Sequence, residues 1–187
     1  NNAGAAGDGR LHKTFNSIRV FQRKNNGAGN NSASGDYIFL YESPTPYDSS
    51  IYLQASQKLI GQDATASLAS ITGYTVPSYS AALPIMNTGG NTTQISYVSG
   101  PGVGVSTNCT VRGLTIGNCT SALYGSSFTG VTVSDASIIN NIGIALSLTS
   151  CTINANFNTL TSGGGNFGLS LTSVNGSITA TTGSLSG

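Results

Sequence analysis

The pentapeptide LSLTS occurs at Leu146–Ser150 and again at Leu169–Ser173, and its surroundings repeat with it: NIGIALSLTSCTINANFNTL is followed by NFGLSLTSVNGSITATTGSL. A period of about 19–24 residues that holds several short alternating strands is the pattern of a β-solenoid. One coil of chain makes one rung, and rungs stack as parallel strands about 4.8 Å apart. In this register Leu146 lies over Leu169 and Leu148 over Leu171, giving two small aliphatic ladders.

The same rhythm runs back to Thr92. TTQISYVS, CTVRGLTIG, FTGVTVSD, IALSLTS, CTINAN, GLSLTS and SITATT read as strands of about 5–8 residues separated by Gly, Asn and Ser. Cys109-Thr110, Phe128-Thr129 and Cys151-Thr152 occupy similar contexts, so Cys109, Phe128 and Cys151 are expected to stack. Six to eight coils follow, a stack about 30–40 Å long.

Upstream, DYIFLYES places Tyr37, Phe39 and Tyr41 on one face and Ile38 and Leu40 on the other, which predicts a strand buried on both. IYLQAS and KLIGQ read as two more strands. The stretch from Ala64 to Asn91 is less regular, and Pro77 and Pro84 keep a long central strand out of it. In HKTFNSIRVFQRKN, Phe15, Ile18 and Phe21 recur at near-helical spacing with basic residues between them. They predict a short amphipathic helix with Thr14 as its N-cap. Residues 1–10, rich in Gly, Ala and Asn, read as irregular. The chain thus divides into an N-terminal arm and capping helix, 1–35, and an all-β parallel β-helix, 36–187.

Only 7% of the residues are charged, against about 25% in ordinary soluble domains. With 38% hydrophobic residues, many of them β-branched, the composition favours a folded β protein over disorder. Most charges precede residue 64; beyond it only Arg112 and Asp135 remain. A net charge of +1 gives no reason to expect nucleic acid or an anionic membrane as partner. No apolar run approaches the ~18–20 residues of a membrane span. The opening NNAGAAGDGR has no signal-peptide pattern, and its start without Met points to processing or to a trimmed chain.

GDYIFLYES, QKLIGQ, VRGLTIGN, FTGVTVSD and the LSLTS coils together resemble secreted bacterial surface proteins with right-handed parallel β-helix repeats, within the broad pectin-lyase-like architecture. The resemblance runs from about Gly7 onward. It implies an extracellular setting and an N-terminal helix over the first rung, a place HKTFNSIRVFQRK can fill. The right-handed preference of parallel crossovers points to the same handedness.

Enzymes of that architecture mostly cut acidic polysaccharides, using several carboxylates with Ca²⁺ and a basic residue, or groups of Asp. Here the solenoid offers one acid and one base. Asp135 alone cannot serve as both acid and base, nor build a tight Ca²⁺ site. Arg112 and Asp135, 23 positions apart, are expected to form an ion pair across adjacent rungs. His12 is the only histidine, which argues against a Ser-His-Asp triad or a His-rich metal site, and it reads as a surface residue. Asp36, Glu42 and Asp48 read as solvated charges at a sheet edge. Gly163-Gly164-Gly165 reads as a corner between coils, since no helix with Lys-Ser/Thr follows it. No catalytic residue, cofactor or metal is expected.

Cys109, Cys119 and Cys151 are odd in number. Two rungs would separate Cys109 from Cys151 by about 9–10 Å, beyond the ~7 Å reach of a disulfide. Buried thiols are expected, with Cys119, beside a corner, the most accessible. The N-x-S/T triplets at Asn30, Asn91, Asn108, Asn118 and Asn175 are about what this composition gives by chance.

The sequence closes on SLTSVNGSITATTGSLSG, still in the repeat pattern. An uncapped rung exposes strand edges and ladder ends, so either further chain or another copy is expected there. Head-to-tail docking is a heterologous contact and propagates as a filament unless it closes. The expected assembly residues are Phe15, Ile18 and Phe21 at one end and Leu169, Leu171, Ile178 and Leu185 at the other. The function expected is that of a non-enzymatic extracellular structural protein, whose copies stack into a surface filament or sheath. The alternative is a module of a larger cell-surface adhesin that touches glycans or a neighbouring cell through its Thr/Ser/Asn faces. A polysaccharide lyase or hydrolase ranks third.

Overall fold

The structure, a computed structural model, describes Gly9 and residues 13–187. The expectations for residues 1–8, Arg10 and His12 fall outside the described residues. In chain order the elements are α1 (Ile18–Lys24), β1 (Tyr37–Leu40), β2 (Ile51–Tyr52), β3 (Lys58–Gly61), α2 (Leu68–Thr72), β4 (Gln94–Ile95), β5 (Val103–Gly104), β6 (Thr110–Arg112), β7 (Thr115–Ile116), β8 (Ser121–Ser126), β9 (Val131–Asn140), β10 (Ile144–Ser162) and β11 (Leu169–Leu185). Every pairing between them is parallel.

The strands form a β-solenoid of about six coils, the low end of the expected range. Each coil contributes to three parallel ladders. One runs Ile51, Val103, Leu123, Leu146, Leu169. A second runs Ile38, Leu59, Val111, Val133, Ala155, Ile178. The third runs Ile95, Ile116, Ile138, Leu160, Gly183, with Tyr47 bridged to Ile95 at its start. These inward columns are the core, and nearly all their members before the last coil are fully buried. Their neighbours along each strand point outward, which is why the alternation of aliphatic with Ser, Thr and Asn is so regular. The predicted stacking of Leu146 on Leu169 and Leu148 on Leu171 is present.

β9, β10 and β11 are far longer than the 5–8 residues predicted. Their corners are made by single residues with left-handed backbone, Ser150 (φ 51°) and Ser173 (φ 52°) among them. A one-residue bend lets pairing resume at once on the next face, so β10 and β11 run through corners where sequence patterning suggests breaks. Asp135 (φ 47°) turns a second corner beside Gly113 (φ 68°). Gly113 also packs so closely that an added Cβ would sit 2.4 Å from the Ala64 nitrogen. Glycine is therefore required there on two counts.

The period is broken once. Tyr37 pairs with Lys58, 21 positions on, but Lys58 pairs with Thr110, 52 positions on. After β3 the chain leaves the solenoid, forms α2 between the Ser67 N-cap and the left-handed Gly73, and returns at β4. Leu68 joins Ile60 and Ala64 in a small cluster outside the sheet, flanked by Phe39, Ile71, Leu83 and Met86. That cluster corrects the reading of DYIFLYES. Ile38 and Leu40 do face the main core, but Phe39 is only partly covered and Tyr37 remains 45% exposed.

At the N-terminal end α1 lies over the first coil with Ile18 and Phe21 buried. Its N-cap is Ser17, not Thr14: Ser17 is extended, and its Oγ accepts from Val20 N–H at 3.3 Å. Phe15 therefore precedes the helix and sets its ring edge-on to Phe21 at 5.9 Å. Arg23 and Lys24 close the last turn, the favourable end of the helix for cations. The helix is tied down by a buried amide pair. Gln57 Nε2 donates to Asn25 Oδ1 at 2.6 Å, and Asn25 Nδ2 donates to Gln57 Oε1 at 3.2 Å and to the Tyr52 carbonyl at 2.8 Å. Asn25, the C-cap, thus uses its side chain to hold α1 on the first full coil.

Candidate assembly surfaces

The two ends of the stack differ in kind. β11 pairs with β10 from Leu146↔Leu169 to Ser162↔Leu185, and among the described residues its other edge is unpaired. None of its residues is buried. Leu169 and Ile178 are half-buried against the core, while Leu171 and Leu185 are 41% and 46% exposed. Leu148, one coil earlier in the same column, is 1% exposed. Leu148 is covered by Leu171 of the following coil, whereas no further described coil lies over Leu171. No charged side chain occurs after Asp135, so this end presents hydroxyls, amides, backbone, aliphatic groups and the exposed ring of Phe167.

The opposite end is partly closed by the chain itself. Ile18 and Phe21 turn inward and are used up on the first coil; Phe15 is half-buried beside them. Between α1 and β1 lies a cleft of about 640 Å³, lined in part by Phe15, Ile38, Leu40, Tyr41 and Tyr47. Tyr47 donates its hydroxyl to the Tyr41 carbonyl at 2.8 Å, and burial pushes its pKa up to about 12. Burial also raises the Tyr41 pKa. The residues named from the sequence therefore do gather at the two ends, but only the C-terminal set stands free.

The remaining candidates take structural positions. Arg112 Nη2 lies 2.7 Å from Asp135 Oδ2, as the sequence spacing suggests, and Thr65 Oγ1 donates to the same oxygen at 3.0 Å. It is the one ion pair among the described residues. Asp36 Oδ2 accepts from Ala33 N–H in a local turn, and Asp48 is exposed. Glu42 departs from the expected solvated edge: its Oε2 accepts from Asn87 Nδ2 at 3.0 Å while its Oε1 is buried without a partner. Gly163–Gly165 form the corner between β10 and β11.

All three cysteines are free and buried. Cys119, expected to be the accessible one, is fully covered and accepts from Tyr97 N–H at 3.4 Å. A corner position does not imply exposure when the next coil packs across it. Cys109 does not stack on Phe128 as predicted: Thr132 N–H donates to its carbonyl, which puts it beside Val131, three positions further on, whereas Thr152 N–H donates to Phe128. Desolvation raises all three thiol pKa values.

Among the described residues no three His, Cys, Asp or Glu side chains converge, and no helix is long and apolar enough to cross a membrane. No family model, curated protein or solved structure matches the chain.

Proposed function

We propose that the chain is a non-enzymatic extracellular structural protein, a β-solenoid subunit that stacks on copies of itself in a surface filament or sheath. The observation that carries this reading is the unpaired edge of β11, a whole rung of hydrogen-bonding backbone with half-exposed aliphatic ladder ends. Edges of this kind are templates for another strand unless something covers or charges them, and no charged side chain lies on this one. The cleft between α1 and β1, lined by polar side chains such as Asn30 and Ser32 as well as by Phe15, Ile38 and Leu40, offers a counterpart at the other end of the next copy. Two unlike surfaces meeting in this way give a contact that repeats indefinitely.

Electron microscopy of the protein isolated from its source, with its intact mass determined in parallel, tests the proposal. Filaments whose axial repeat matches one solenoid are expected. Isolated rods of much larger chain mass would overturn it and favour a module within a longer adhesin.

A further inference from the structure

We infer that a cleft on the flank of the first two coils binds a small acidic saccharide, a terminal sugar carrying a carboxylate or sulfate. The cleft, about 460 Å³, lies between α1 and the turns that precede β2 and β5, in the size range of small-molecule sites. Among the described residues its lining holds two arginines, two tyrosines and three serines, and no carboxylate. Arg19 and Arg23 stand one helical turn apart on α1, both exposed, and neither has an ion-pair partner among the described residues. In a chain with seven basic side chains in all, two unpaired guanidinium groups over one cleft are a marked concentration. Guanidinium groups match the planar oxygens of carboxylate and sulfate in paired hydrogen bonds.

The far wall is pre-set. An added Cβ on Gly104 would meet the Tyr52 ring at 2.4 Å, and one on Gly100 would meet the Tyr97 ring at 2.6 Å. Each ring thus packs closely against a glycine, Tyr52 across to the next coil and Tyr97 within its own turn. Tyr52 is nonetheless 44% exposed. Gln22 fixes the helix to this wall: its Oε1 accepts from Tyr52 N–H at 2.9 Å and its Nε2 donates to the Tyr52 carbonyl at 3.4 Å. The helix that carries the arginines is therefore held against the rings without a ligand, which reduces the ordering cost of binding.

Aromatic faces stack on the C–H faces of sugars, and Ser49 and Ser99 supply hydroxyls for ring substituents. An acidic peptide fits less well, because among the described residues Pro101 is the only aliphatic side chain in the lining and no apolar pocket for an anchoring residue adjoins it. The site is independent of end-on stacking, since it uses neither β11 nor the cleft beside β1.

The test is binding of the intact 187-residue chain to immobilised sugars terminated by glucuronate, sialate or a sulfate ester, with neutral sugars and poly-glutamate as controls. Preference for at least one acidic sugar over its neutral counterpart is expected, weakening with salt. R19Q/R23Q should reduce that binding about tenfold or more, a loss of about 1.4 kcal/mol. Tyr52→Ala should do likewise, while Tyr124→Ser, outside the cleft, should not. Circular dichroism and thermal melting establish that each variant is folded. Equal binding of neutral sugars, retention by R19Q/R23Q, or stronger capture of poly-glutamate would each overturn the proposal, whether or not filaments form.

Discussion

Arg112 and Asp135 sit on neighbouring coils with Nη2 2.7 Å from Oδ2, and Asp135 makes this contact from a left-handed corner (φ 47°). The same residue thus turns the chain and ties three segments together, because Thr65 at the root of the α2 excursion bonds to it as well. Both charged side chains are about three-quarters covered. Arg112→Met should cost about 1–3 kcal/mol, more than a surface pair, because it leaves Asp135 partly buried without its countercharge. Asp135→Gly should cost less than Asp135→Ala, since glycine recovers about 1 kcal/mol at the left-handed corner. Urea denaturation of the three variants checks both statements; an Asp135→Ala variant as stable as Asp135→Gly would refute the corner argument.

Alkaline pH should weaken the fold in a defined window. Burial raises the Tyr47 pKa from 10.0 to about 12, so the folded state holds its proton more tightly than the unfolded chain does. Its contribution is complete below pH 10 and is lost as pH rises through the folded value. The urea midpoint should therefore fall between pH 10 and about pH 12. Tyr47→Phe should flatten that part of the curve while lowering stability at neutral pH, where the bond to the Tyr41 carbonyl is missing. The raised thiol values act in the same direction, beginning above their ordinary 9.0.

The three thiols should be unreactive in the folded protein. Each is buried and each resists ionisation, and the thiolate is the reactive form. Ellman's reagent at pH 8 should label none of them rapidly, and all three in guanidinium. Fast labelling of Cys119 alone would mean that its corner opens.

How much of this was legible in the chain depends on how faithfully a segment keeps the period. LSLTS over LSLTS is an undisturbed 23-residue step, and it predicts the register of β10 and β11 correctly. The Cys109 column misses because the step there is 22, from Thr110 to Thr132, whereas stacking Cys109 on Phe128 needs 19; Gly130 (φ 70°), between Phe128 and Val131, bends the chain where the alternation would have to be counted. β5 lies within GPGVG, too short and too rich in glycine for an alternating pattern to show; pairing with β2 and β8 makes it a strand. α2 is five residues long and too short for a helical period to show, although Pro77 and Pro84 do mark the excursion as irregular. The end surfaces were legible as residues but not as states. The hydrophobic spacing of Ile18 and Phe21 says that they are buried by something; only the fold shows that their own chain does it. The Arg19–Tyr52–Tyr97 cleft joins three distant stretches and left no local signal.

The excursion should be the first place the chain is cut. Tyr74 and Tyr79 are 57% and 89% exposed, and no strand pairing protects the segment between α2 and β4. Limited chymotrypsin digestion should cleave after Tyr79 or Tyr74 and leave two fragments that remain associated, since β3 and β6 pair across the cut. Early cleavage within β8–β10 instead would show that the solenoid is less stable than its burial implies.

Leu148 and Leu171 separate folding from assembly. They share a column and a local sequence, but Leu148 is buried and Leu171 lies on the open rung. Leu148→Ala should cost about 2–5 kcal/mol, whereas Leu171→Ala should cost under about 1. Leu171→Lys places a charge on the edge of β11, one of the devices by which natural sheets prevent unwanted pairing. It should leave the melting temperature of the dispersed protein nearly unchanged and abolish filaments seen by electron microscopy or pelleting. Filaments that persist in Leu171→Lys would require an interface other than the β11 edge, because a lysine in the middle of that ladder would be buried there without a partner.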